Sequence, residues 1–90
     1  MRIIFTQPAL EDIAEIRIYV AAHYPHALAS VERRLRLVLG RIMRWPESAQ
    51  QVAEHPGVRM VPLVRYPYKI FYRVQWDSIE VLHIHHNAQA

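Results

Sequence analysis

Apolar and polar residues alternate along this chain with two different periods, and the change of period divides it. Residues 2–6 (RIIFT) form a short β-forming run closed by a threonine. From residue 8 to about residue 23, Leu10, Ile13, Ile16, Val20 and Tyr24 recur at helical spacing, which predicts a first helix. Thr6 is placed to cap it, Pro8 is tolerated in its first turn, and Glu11 and Asp12 lie near its positive end. Pro25 disfavours the helical conformation at Tyr24 and should end it. A second helix is expected over residues 26–44. At about 100° per residue, Leu28, Val31, Leu35, Val38, Leu39, Ile42 and Trp45 fall on one arc. Arg33, Arg34, Arg36, Arg41 and Arg44 occupy the opposite arc, interrupted only by Leu37. Pro46 closes this helix, and residues 47–56 read as polar connection with one helical turn around 49–53. Pro56-Gly57 is a turn signal.

Residues 58–86 then change to a β pattern, rich in branched and aromatic residues. Tyr66-Pro67 and Trp76-Asp77-Ser78 cut the stretch into three runs that read as consecutive antiparallel strands. In the middle run Tyr68, Ile70, Tyr72, Val74 and Trp76 share one face, and Lys69, Phe71, Arg73 and Gln75 the other. In the last run Ile79, Val81, His83 and His85 alternate with Glu80, Leu82, Ile84 and His86. Neither of those faces is purely polar, so this strand is expected to be central or covered on both sides. The order β-α-α-β-β-β, without repeats or an internal linker, predicts one α+β domain over residues 1–90.

Composition narrows the function classes. A chain of 90 residues suits one domain, and 52% apolar with 21% charged residues is globular composition. With no cysteine, disulfide frameworks and thiolate metal sites are excluded, and a reducing cytoplasm is the expected compartment. The opening residues MRIIFTQPALED lack a sustained apolar stretch, so no signal peptide is expected, and no run approaches a membrane span. The net charge is +3 and ten of the eleven fixed cations are arginine, whose planar fork suits phosphate and carboxylate partners. The arginine arc of the second helix is therefore either a solvated face or a surface for an acidic partner or nucleic acid.

Candidate chemistry concentrates in residues 58–86. His83 and His85 should point the same way and could both hold a metal, but no third ligand is evident, so no metal is assigned. Ser30 and Ser48 lie in no nucleophile motif, and two glycines leave no phosphate-cradling loop. Glu11, Asp12 and Glu15 read as helix-stabilising surface carboxylates. Cations and histidines on the sheet, with Arg65, Arg73, His83 and His85 as RNA- or target-binding candidates, would serve metal-free RNA cleavage if they converged. Packing is the alternative for each, and for Arg59 and Lys69 it means lying over sheet aromatics or pairing with Glu80.

Taken together, Ala9 to Ile13 after the opening strand, the helical hairpin ending at Trp45-Pro46, Gly57-Val58-Arg59, Tyr68 to Tyr72 and Val81 to His86 make the chain resemble the RelE/ParE superfamily of type II toxin–antitoxin toxins. The resemblance spans the whole chain. It implies a helical hairpin packed on a small curved, mainly antiparallel sheet, and no cofactor. It also implies a cognate antitoxin whose partly disordered segment folds onto the toxin, with a hetero-oligomer as one outcome. Within the superfamily, RelE-like members cleave mRNA on the ribosome without metal, whereas ParE-like members poison DNA gyrase. Arg59, Lys69 and His86 match the positions that would be catalytic in a nuclease. The closing arginine of such members is replaced here by Gln89, a neutral amide that supplies no charge stabilisation. This departure favours a ParE-like action on gyrase or another protein target. The alternative is a ribosome-dependent mRNA endonuclease, and the third reading is a family member that has lost toxicity.

Overall fold

In the computed structural model, residues 1–87 are described. Strand β1 (Arg2–Phe5) leads into helix α1 (Gln7–His23), a short 3-10 turn (Pro25–Ala27) and helix α2 (Leu28–Arg44). Strands β2 (Gln50–Gln51), β3 (Val58–Pro62), β4 (Tyr68–Val74) and β5 (Ser78–His86) follow. The five strands form one sheet in the order β1-β5-β4-β3-β2. Only β1 runs parallel to its neighbour, β5; the remaining pairs are antiparallel.

Local signals set most of these elements. Thr6 caps α1 by accepting from the Ala9 amide at 3.2 Å, and its hydroxyl also donates to the Val81 and Leu82 carbonyls, tying the helix start to β5. Gly57 takes a positive φ of 83° at the turn into β3, a conformation glycine adopts without Cβ penalty. Val64 also has a positive φ, 64°, where the chain reverses between β3 and β4, so a branched side chain there carries strain. The helices cover one sheet face. Ala9, Val38 and Ile42 pack there on Ile70, Tyr72, Ile79, Val81 and Ile84, all buried.

Five expectations need correction. The helical face of α1 turns on Ala9 and Val20 and leaves Leu10 and Tyr24 exposed, because a small residue allows closer approach to the sheet. The segment before Leu28 is a 3-10 turn, so α2 begins later than residue 26. Trp45, beyond the end of α2, is 55% exposed instead of packed on its apolar arc. The segment around residue 50 is a two-residue strand paired with Met60 and Arg59, not a helical turn. Trp76 leaves β4 before the β4–β5 turn and stands 93% exposed.

Candidate functional site

The pleat decides which candidate residues can meet. Partners directly opposite each other in an antiparallel pair share a face, and β3 pairs Arg59 with Tyr72 and Pro62 with Lys69. Tyr72 is a core residue, so Arg59 belongs to the helix-covered face at one end of the sheet. Lys69, one residue from both Tyr68 and Ile70, lies on the open face. His86 pairs with Tyr68 and so joins the helix-covered face at the opposite end from Arg59. The three residues proposed for nuclease chemistry do not converge.

Arg59 has a local task. Its guanidinium donates to the Glu47 and Ala49 carbonyls at 2.9 and 2.7 Å, while the Tyr72 hydroxyl donates to Pro46 at 2.7 Å. Together they pin the chain that leaves α2 against the sheet. Burial raises the Tyr72 phenol above its ordinary pKa, with Arg59 pulling weakly the other way. Tyr68 is likewise raised by burial, reinforced by Tyr19. Both are therefore neutral phenols near pH 7, unsuited to act as bases and fit for packing and hydrogen bonding.

A bulge in β5 rearranges the histidines. Phe71 faces His83 but Tyr72 faces Val81, leaving Leu82 as the extra residue. Strict alternation would put His83 and His85 with Ile79 and Val81. The inserted residue moves both to the open face and brings Ile84 into the core. On that open face Lys69 pairs with His85, and its ammonium lies 5.9 Å from the centre of the Phe71 ring. Arg73 pairs with Glu80, the partner expected for Arg59 or Lys69. The segment carrying Val52, Glu54 and His55 leans over the same face. With Val58, Phe71, Leu82, His83 and His85 it walls a largely apolar hollow of about 390 Å³.

The other face offers a cleft. Asp12, Glu15, Ile16 and Tyr19 of α1 stand across from Tyr68, Ile84 and His86, enclosing about 460 Å³. Tyr19, Tyr68 and His86 also border an adjoining hollow of about 360 Å³ that reaches Tyr24, Val31 and Pro67. His86 packs edge-on against Tyr68, with ring centres 5.5 Å apart. The result is a continuous groove, acidic at the Asp12–Glu15 end and aromatic at the other. Arg65 lies elsewhere, lining a small hollow with Arg33 and Arg34 of α2, so the arginine arc and this loop cation form one basic surface. The sequence pattern missed Asp12, which looked like a helix-end charge, and Tyr19, which does not lie on the inferred core face. Gln89 lies outside the described residues.

The fold is a small α+β domain, two helices on a mixed five-stranded sheet. The family described as "ParE toxin of type II toxin-antitoxin system, parDE" matches residues 3–90, and the chain belongs to that family. Among solved structures, one described as "Chromosomal ParDE TA system from P. aeruginosa" superposes with a TM-score of 0.82 at 23% identity, covering 96% of this chain and 95% of the other. No curated protein matches. The chain is thus the toxin component of a type II module, and membership implies a cognate antitoxin. Among the described residues, no helix is long and apolar enough to cross a membrane.

Proposed function

We propose that this toxin acts by binding a protein target, with DNA gyrase as that target, in the cytoplasm. The observation that carries the reading is the separation of Arg59, Lys69 and His86 by face and by strand end. Metal-free RNA cleavage needs a base, an acid and cations around one phosphate. Arg59 already spends its guanidinium on two backbone carbonyls, and Lys69 faces away from it. Target binding asks instead for exposed anchors and charge. Trp76 at 93% exposure and the Arg33–Arg34–Arg65 surface supply both.

The antitoxin has a separate place to bind. The groove between α1 and the Tyr68–His86 end of the sheet has apolar walls and one acidic rim, suited to an amphipathic segment carrying basic residues. The test combines growth and two readouts. Expression of the chain alone should arrest growth, and purified chain should inhibit supercoiling by gyrase. Mapping of mRNA 5′ ends after induction should show no codon-phased cuts. Phased cuts that vanish in Lys69→Ala, with gyrase unaffected, would reverse the assignment.

A further inference from the structure

The edge of β5 beside α1 holds a cluster of Asp12, His83 and His85. Pairing between β1 and β5 ends at Phe5 and Val81, so no strand of the described residues covers that edge beyond Leu82. Asp12 reaches it from α1. Its Oδ2 accepts from the Ile84 amide at 2.9 Å and lies 3.3 Å from Nδ1 of His83. His85, on the same face as His83, has its ring centre 4.9 Å from that of His83. One ligand atom from each of Asp12, His83 and His85 falls within 4.8 Å of the other two.

We propose that Asp12, His83 and His85 bind a divalent transition-metal ion of the zinc and nickel class. Two imidazoles and one carboxylate suit such borderline ions, whereas magnesium and calcium prefer oxygen-only shells. A four-coordinate zinc with bonds near 2.0–2.1 Å sets its ligand atoms roughly 3.4 Å apart, so side-chain rotation of about an ångström would close the present spacing. The surrounding structure already orients two of the ligands. The Ile84 amide fixes the Asp12 carboxylate, and the Phe71 ring, 5.3 Å centre to centre, backs His85. All three ligands are half-buried, which leaves the remaining coordination positions to water or a partner side chain. The ion would join the first helix to the last strand at the one place where β1 no longer braces it. Asp12 and His83 lie 71 residues apart in sequence. The β5 bulge is what makes this geometry: without Leu82 as an extra residue, His83 and His85 would face the core.

Titration calorimetry of untagged protein with zinc, nickel and, for contrast, magnesium tests the site. One zinc or nickel per chain is expected, with magnesium silent. Asp12→Asn, His83→Ala and His85→Ala should each weaken zinc binding on the order of tenfold or more. His26→Ala, in the 3-10 turn, should leave it unchanged. His85→Gln keeps size and polarity and guards against a folding defect, and circular dichroism checks each variant. In NMR spectra, zinc should move the His83 and His85 ring resonances and spare those of His23 and His26. Zinc binding that persists in a folded His83→Ala/His85→Ala double variant would overturn the proposal. So would a wild-type chain that takes up no stoichiometric zinc, leaving an Asp12–His83 contact only.

Discussion

The two faces of the sheet around β4 use aromatic residues and cations to different ends. On the helix-covered face Tyr68, Ile70 and Tyr72 are buried, and the Tyr72 hydroxyl is spent on the Pro46 carbonyl. On the open face Lys69, Phe71 and Arg73 stay half-buried or exposed, and their contacts are with side chains: Lys69 with the Phe71 ring, Phe71 with His85 and Arg73 with Glu80. A cation on the first face, Arg59, is part of the scaffold. The cations on the second, Lys69 and Arg73, contact side chains at the surface. Residue type alone does not assign a role here; the face does.

The largest expected effect tests that contrast directly. Tyr72→Ala should cost about 3–5 kcal/mol, since it empties a fully buried ring site and removes the hydroxyl bond to Pro46. Phe71→Ala, one residue away on the open face, should cost about 1–2 kcal/mol, because only part of its ring is withdrawn from water. Urea denaturation measures both. Equal losses would mean that the segment over the open face packs as tightly as the helices do.

Much of this arrangement was legible in the chain. Helical spacing located both helices, Thr6 its cap, and the two turn signals three of the five strands. What escaped had physical reasons. The bulge at Leu82 inserts an apolar residue among apolar residues, so period-two reading runs through it without a mark. Strand β2 is two glutamines held by backbone pairing with β3, and no side-chain pattern announces such an edge. Asp12 looked like a helix-end charge because its partners, His83 and the Ile84 amide, lie at the far end of the sequence. The proposed nuclease residues were plausible by type, and only the cross-strand register separates them.

A middle-sized effect separates scaffold from surface among the cations. Arg59→Ala should destabilise by about 1–3 kcal/mol, since it leaves the Glu47 and Ala49 carbonyls without their donor, the Ala49 one in a partly buried setting. Lys69→Ala should stay within about 0.5 kcal/mol, as expected of a surface change. Growth arrest should then follow stability in Arg59→Ala and persist in Lys69→Ala. A nuclease would instead lose activity in both variants with Lys69→Ala still fully folded, so denaturation and growth assays on the same pair of proteins tell the two mechanisms apart.

The smallest effect concerns Arg73 and Glu80, paired across β4 and β5 on the open face. Their side chains retain 48% and 23% of their exposure, so water screens the attraction. A double-mutant cycle with Arg73→Ala and Glu80→Ala should give a coupling of about 0.2–1 kcal/mol, shrinking as salt is added. The size matters for the comparison of faces. A coupling in that range leaves Arg73 able to exchange Glu80 for a carboxylate on a partner protein at little cost in stability. A coupling well above it, insensitive to salt, would make the pair a structural clamp like Arg59, and the division of roles between the two faces would no longer hold at this end of the sheet.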